Sequence, residues 1–589
     1  MRELRRTVAR CKKEGPTALD FETTSLSPAD GRVRLVSLRN KKIRALVDFD
    51  KIRGGFKTCA KLFEGRYASW IVFNAGFEQR WFQAADADVR CMDVGNLRRA
   101  ILGGGGYALK QIALWDLDID MSKKEQASDW AAKELTQDQL DYAYLDADIT
   151  WQLWRHWADK ADEGHWRGFK LFNDMVPAVI EMETSGMMLD VEVHQALVDN
   201  WEKIKVERTK RIRKLVDEDE VANINSDTQW SDYFAVHMPD DFLAAWPRTE
   251  KTGQLSMTTE TLKILASWVP GTPLEKFFDA LSEYKTISKY ISSFGDSLIT
   301  KAELTPGKRV HARFNIGAAK TGRFSSSGPN LQQMPRDRDL LGELTSVRSS
   351  FVAGLGRRLV SLDYSGIELR VLALLSCDEQ LLQDVVEGDV HSEVAAVIAG
   401  RPIDRTTRAG KAARQAAKGV SFGIIYGSGA GGLAATMRTS IDKAQVYIDF
   451  WQHRYPAAFQ LRFDMMTEVK STRYIRMVDG GTVYMGKRAD LPKCANYPVQ
   501  RAALSVMARA IVRHKNTLDA ARAGGKQRMT RMLSTIHDAL IDEAATRDAP
   551  ACLRLMEKDM IRGYLDVFPG APTDRLVEGG IGPNWAALE

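Results

Sequence analysis

The 589-residue chain is poor in cysteine, and its six cysteines, at positions 11, 59, 91, 377, 494 and 552, form no CxxC pair and no Cys/His ligand spacing. That scatter argues against structural zinc and disulfides and predicts buried, reduced thiols. Long apolar runs are missing as well. No stretch reaches the roughly 18 residues of a membrane span, and the basic start MRELRRTVARCKKEG has no apolar segment behind it. Neither a span nor a secretory signal is expected, and the protein is expected in the cytoplasm. A large excess of one charge is also absent: the net charge is +6. A polyanion partner must therefore be argued from local basic surfaces. What remains is ordinary for a folded chain, with 44% hydrophobic and 27% charged residues. The length predicts about four modules.

Against this background one stretch stands out, RQAAKGVSFGIIYG. Arg414, Lys418, Phe422 and Tyr426 recur every four residues. On a helix they form a drifting stripe about 18 Å long at 1.5 Å per residue. Two cations followed by two rings suit a nucleoside triphosphate, with phosphates on the cations and base or sugar on the rings. An amphipathic helix with snorkelling cations accounts for the same pattern. Upstream, Asp363 ends the apolar run LVSL and is followed by Glu368 on a helical pattern. Downstream, MLSTIHDALIDEAA predicts a hairpin with His537 and Asp538 at its turn.

The first third of the chain carries a second set of acids. Asp20 and Glu22 in DFET are two apart, so a strand points both to one face, where they repel unless a cation or solvent lies between them. Asn74 and Glu78 follow an apolar strand in SWIVFNAGFEQRWF, and Tyr142 and Asp146 lie on the helical pattern LTQDQLDYAYLDADITWQLW. Tyr144 and Asp148 satisfy the same Yx3D spacing. Between 190 and 300 helical patterns dominate, with a basic run KIKVERTKRIRKL.

The segments around Asp363, Arg414 to Tyr426 and Asp538 resemble motifs A, B and C of family A DNA polymerases, in the family's order. The N-terminal third resembles the DEDD-type 3′→5′ exonucleases of the tyrosine subclass, which include ribonuclease D and polymerase proofreading domains; GYALKQIA, SDW and LTQDQLDYA add to that likeness. The implied fold class is α/β and α+β multidomain: an RNase H-like DEDDy exonuclease domain (1–165), then a right-hand polymerase. The polymerase part is expected as thumb and connecting helices (166–308), palm with motif A (309–384), fingers with motif B (385–465) and palm with motif C (466–589).

The resemblance also implies roles. Asp20, Glu22, Glu78 and Asp146 would hold two divalent ions, with Tyr142 orienting water; the family pattern aligns with Tyr142 and Asp146 rather than Tyr144 and Asp148. Asp363 and Asp538 would bind two Mg²⁺ ions, with Mn²⁺ as the alternative ion. Arg414, Lys418 and His391 would meet the triphosphate, Lys418 also as a proton donor to pyrophosphate; Phe422 and Tyr426 would line the base pocket; Glu368 would exclude a 2′-OH. Thr321, Arg323, Ser325, Asn330 and Gln332 match a segment lying along primer and template, and Asn496, Gln500 and His537 would also touch DNA.

Two positions depart from the family. Glu78 stands where the family usually has Asp, which would displace the outer metal ligand or make it act through water. Ala539 stands where motif C usually has Glu, which predicts weaker metal organisation without loss of activity, and Asp542 and Glu543 lie too far along the strand to replace it. The expectation is therefore a monomeric, phage-type DNA polymerase with proofreading and no room for a 5′-nuclease domain. It would use primer-template DNA, dNTPs and replication accessory proteins. A ribonuclease D-like nuclease with a non-catalytic polymerase part, and a nucleic-acid-binding or priming factor with idle sites, are the competing readings.

Overall fold

The computed structural model describes residues 1–65, 70–121, 128–249, 252–335, 338–340, 343–437, 439–486, 491–527 and 529–588. Its first sheet runs in the order Arg44–Asp48, Val33–Arg39, Thr17–Thr23, Trp70–Val72 and Met92–Asp93. The first three strands are antiparallel and the last two join in parallel. Val33–Arg39 is buried along nearly its whole length, including Arg34 and Ser37, and the buried Arg34 is paired with Asp48 at 2.9 Å. Helix Gln137–Ala158 packs against the two central strands. It starts at a capping box: Gln139 N donates to Thr136 Oγ1 at 3.2 Å, and Thr136 N donates to Gln139 Oε1 at 2.9 Å.

Helices Val191–Arg213, Asp227–His237, Thr259–Trp268 and Pro273–Phe294 form a separate helical unit. Its core is aromatic, built on Trp230, Phe234, Trp246, Phe277 and Phe278. The basic run on Val191–Arg213 is divided by this packing. Arg208 is buried and bonded to Glu283 at 2.5 Å, whereas Lys203, Lys210 and Lys214 are exposed.

The second large sheet is antiparallel throughout, in the order Arg531–Ile536, Ala539–Ala545, Arg357–Tyr364 and Val577–Gly582. Behind it lie helix Ala549–Val567 and the 33-residue helix Leu491–Ala523. Helices Val390–Ala399, Arg408–Ile425, Ala430–Met437 and Ile441–Arg454 follow in the chain, and Tyr426, at the end of the second, bonds to Glu368, four residues past strand Arg357–Tyr364. The cuts expected at 165, 384 and 465 fall inside helices Glu163–Asp174, Glu379–Val386 and Pro456–Thr472, so each of these helices bridges two of the expected divisions.

Five of the six cysteines are buried and none is in a disulfide; Cys377, expected inside, is exposed just past the end of helix Ile367–Ser376. Among the described residues no helix is long and apolar enough to cross a membrane.

Candidate active sites

Strand alternation puts the side chains of Asp20 and Glu22 on one face of the first sheet, and the i, i+4 spacing of Tyr142 and Asp146 puts both on the helix face above it. One carboxylate oxygen each from Asp20, Glu22 and Asp146 fall within 4.8 Å of one another. Burial and mutual repulsion push Asp20 well above the usual carboxylate range and Glu22 up to about 10. Tyr142 is pushed above the ordinary phenol range by burial and by the neighbouring Asp146, to which it also hydrogen-bonds. Tyr144 and Asp148 go elsewhere: Arg44 lies 4.2 Å from the Tyr144 ring, and Asp148 pairs with Arg39 at 2.9 Å and Arg44 at 3.0 Å.

Glu78 sits in the first turn and a half of helix Ala75–Ala84, only 2% exposed. It is not one of the three acids whose oxygens share the 4.8 Å group; burial raises it, and Asp20 and then Asp93 add to the effect. Its Oε2 is buried without a hydrogen-bond partner. Three crowded carboxylates, with the orphaned Oε2 of Glu78 on an acid that feels Asp20, are a hard-oxygen donor set that fits Mg²⁺.

In the second sheet, Asp363 is opposite Ala539, and the Tyr364 amide donates to the Asp538 carbonyl at 3.2 Å. The two acids are thus cross-strand neighbours. His537 closes the hairpin with φ 55°, in the left-handed region that His tolerates in tight turns better than most residues. Burial pushes Asp538 up to about 7; Arg323 pulls against it, while Asp363 and Glu368 add to the rise.

Glu368 is held from two sides, by the Arg323 guanidinium and by the Tyr426 hydroxyl. Burial and Glu368 together push Tyr426 above the ordinary phenol range, and Gln500 bonds to the same hydroxyl. Arg323, expected along primer and template, stands beside Glu368 and Tyr426.

Helix Arg408–Ile425 is capped by Thr407, whose Oγ1 accepts from Gly410 N at 3.0 Å. Arg414, Lys418 and Phe422 share its face, and Tyr426 is the residue that ends it. Arg414 Nε bonds to Asp389 Oδ2 at 2.5 Å. Despite burial, that guanidinium and Ser392 hold Asp389 down at about 2. Lys418 is exposed, its ammonium 5.9 Å from the Phe422 ring centre, and the Phe422 and Tyr426 rings are 5.7 Å apart.

His391 is buried beside Phe422, 3.4 Å from Ser421 Oγ. Burial and then Arg414 push it down to about 4, so near neutrality it can offer a phosphate a hydrogen bond but not a charge.

The remaining expected contacts are partly spent on structure. Asn330 Oδ1 accepts from Gln332 N at 3.1 Å, and Gln332 Nε2 donates to Thr535 O at 3.5 Å. Ser325 Oγ accepts from Asn315 at 3.3 Å. Thr321 Oγ1 and Asn496 Oδ1 are buried without hydrogen-bond partners.

Neither acid after Ala539 can take its place, for a reason that strand distance alone did not give. Glu543, fully buried, bonds to Arg309 at 2.7 Å through both oxygens and pairs with Arg531 at 3.1 Å and Arg357 at 3.4 Å. Asp542 Oδ2 is 2.8 Å from His514 Nε2, and His514 Nδ1 is 3.0 Å from Asp559. Cys552 donates to Asp542 at 3.5 Å. Sequence spacing did not reveal this buried His/Asp/Cys group, because its members come from a strand and two helices that meet only in the fold.

The fold is that of an exonuclease domain followed by a right-hand polymerase. A profile for DNA polymerase family A matches residues 192–587, and one for 3'-5' exonuclease matches residues 1–161. The chain belongs to DNA polymerase family A. It is 33% identical over 426 residues to a thermostable DNA polymerase I of Thermus aquaticus, covering 69% of this chain and 47% of that protein. It is 28% identical over 532 residues to DNA polymerase I of Chloroflexus aurantiacus, covering 87% and 54%. The chain spans about half the length of these curated relatives. A solved structure of the POL domain of Pol1 from M. smegmatis, in complex with DNA primer-template and dNTP, superposes with a TM-score of 0.78 at 20% identity, covering 100% of this chain and 98% of that one. At that identity the likeness concerns the fold alone.

Proposed function

We propose that the chain performs template-directed DNA synthesis and removes mispaired 3′ ends by hydrolysis. The observation that carries the synthetic half is the cross-strand adjacency of Asp363 and Asp538, under a helix bearing Arg414 and Lys418 and beside the Arg323, Glu368 and Tyr426 cluster. Asp363 and Asp538 would hold divalent ions, Mg²⁺ first. Such ions, when bound, polarise the α-phosphate and favour ionisation of the primer 3′-OH for in-line displacement of pyrophosphate.

The chain's own residues bind and orient. Arg414 and Lys418 would neutralise the triphosphate; Arg414 would exchange Asp389 for a phosphate oxygen, a move that its half-exposed position permits. Lys418 would donate a proton to the leaving pyrophosphate. Phe422 and Tyr426 would stack on the base, while Asn496, Gln500 and His537 would contact the nascent pair. Glu368, fixed by Arg323 and Tyr426, would fill the space that a 2′-OH needs.

In the exonuclease half, Asp20, Glu22, Asp146 and Glu78 would hold the ions and Tyr142 would orient water. A mispair costs roughly 1 to 3 kcal/mol in contacts, so a second, hydrolytic site multiplies a selection that binding alone leaves modest. Work as a monomer in the host cytoplasm, in phage replication with accessory proteins, is the proposed setting; it rests on the resemblance of the motifs.

Ala539 favours one competitor, a nuclease whose polymerase part only holds nucleic acid. Primer extension with purified protein and Mg²⁺, with and without dNTPs, decides between them. Elongation with dNTPs and shortening without them is the expected result; shortening under both conditions would replace the proposal with the nuclease.

A further inference from the structure

The exonuclease part touches the polymerase part at a run of four glycines, 103–106, that follows helix Val94–Leu102. Two of its amides cross the boundary. Gly104 N donates to Lys320 O at 3.0 Å, and Gly105 N donates to Gly317 O at 2.8 Å. A Cβ on Gly104 would lie 1.7 Å from Ala319 O and 2.5 Å from Gly317 O. Those are backbone atoms, so no side chain could swing aside to make room.

The segment that receives these bonds is a tight turn. Gly322 N donates to Ala319 O at 2.8 Å, and Ala319 N donates to Arg323 O at 3.2 Å. Its far end is Arg323, whose guanidinium holds Glu368. Arg501 buttresses the same turn from behind: it bonds to Thr321 O at 3.4 Å, pairs with Asp479 at 2.6 Å and lies 4.2 Å from the Phe172 ring. The seven-residue turn 317–323 thus joins the glycine run to Arg323, whose side chain holds Glu368.

We propose that Gly104, in the exonuclease domain, is a positioning residue for nucleotide selection in the polymerase domain. It acts by letting the 317–323 turn seat so that Arg323 holds Glu368 in place. This rests on the reading of Glu368 as the group that excludes a 2′-OH. In a close-packed junction the turn can admit a Cβ only by moving about an ångström, and displacements of that size in positioning groups cost up to about 100-fold.

The test uses the full chain and compares dCTP with CTP incorporation opposite template dG, together with shortening of single-stranded DNA. Gly104→Ala is expected to raise KM for dCTP and to lower the dCTP-over-CTP preference about tenfold, with shortening at the wild-type rate. Arg99→Met is the second variant, for the case in which Gly104→Ala does not fold. It removes the bond from Arg99 Nε to Gly105 O at 3.3 Å without opening the junction, and it is expected to shift the preference in the same direction.

Wild-type preference in a folded variant overturns the proposal. So does a parallel loss of extension and shortening in both variants, which would mean a general loss of stability. Glu368→Ala separates the two levels. If it keeps the wild-type preference, the reading of Glu368 fails; if it loses the preference while Gly104→Ala and Arg99→Met keep it, only the role of Gly104 fails.

Discussion

The Tyr364 amide donates to the Asp538 carbonyl at 3.2 Å, which locks motif A to motif C in the register that sets Asp363 opposite Ala539. The separation of the two polymerase acids is therefore fixed by a strand pair. Asp538 adjoins Ala539, the direct partner of Asp363, so the pairing brings both acids to the turn end of the hairpin.

Removing one acid from either sheet should silence one activity and leave the other. Asp363→Asn is expected to reduce extension on the order of a thousandfold, a loss of several kcal/mol of transition-state stabilisation, with shortening unchanged. Asp20→Asn should do the reverse. Single-turnover extension and degradation of one labelled primer check both, and an extension defect in Asp20→Asn as deep as that in Asp363→Asn would end the division of labour.

Asp538, raised to about 7 chiefly by burial, ties metal binding to pH. Its folded-state proton affinity is raised, so the stability it contributes is complete below the usual carboxylate range and is lost as pH rises through about 7. An ion must displace that proton. Half-saturating Mg²⁺ for extension should fall between pH 6 and 8, and the Mg²⁺-induced rise in Tm should grow over the same interval. A Mg²⁺ requirement that is flat with pH would contradict this.

Ala539→Glu would restore a carboxylate opposite Asp363. With metal it should lower the Mg²⁺ requirement about 10-fold, the low end of what outer ligands contribute to affinity. In EDTA it should lower Tm, because a third acid joins Asp363 and Asp538 while the nearby Arg323 is already engaged by Glu368. Metal titrations of extension and thermal melts with and without EDTA measure the two signs.

His514 carries a proton between Asp542 and Asp559. Burial opposes the charge, but the two carboxylates override it and raise the imidazole well above its usual value. That stability is present in full below about 6.5 and disappears as pH rises through the raised value. His514→Gln should cost about 3 to 5 kcal/mol by stranding buried carboxylates. Urea unfolding at several pH values should show the wild type losing stability above neutrality and the variant losing less.

Motifs with local geometry were readable in the chain. DFET on a strand, Yx3D on a helix and the every-fourth-residue stripe each follow from one period, so Asp20, Glu22, Tyr142, Asp146, Arg414, Lys418 and Phe422 land on the expected faces. The likeness to the family pattern preferred Tyr142 to Tyr144 from sequence; the fold adds a physical contrast, Arg39 and Arg44 occupying Asp148. Arg323 was legible as functional but not as the partner of Glu368, 45 residues away. The His514 group and the bonds of Glu543 were invisible because burial, not spacing, assembles them. Residues assigned to DNA, such as Asn330, also cap local turns, a second duty that composition does not separate from the first.

The helix Leu491–Ala523, about 50 Å long at 1.5 Å per residue, bears on nearly every part of the polymerase half. Gln500 meets Tyr426, Arg501 meets the 317–323 turn, His514 grips the strand Ala539–Ala545, and Arg522 bonds to Glu181, in helix Val176–Ser185, at 2.5 Å. Grafts between relatives should therefore tolerate exchange of the outer helices far better than exchange of any part of this axle, because a replacement has to fit four unrelated neighbours at once.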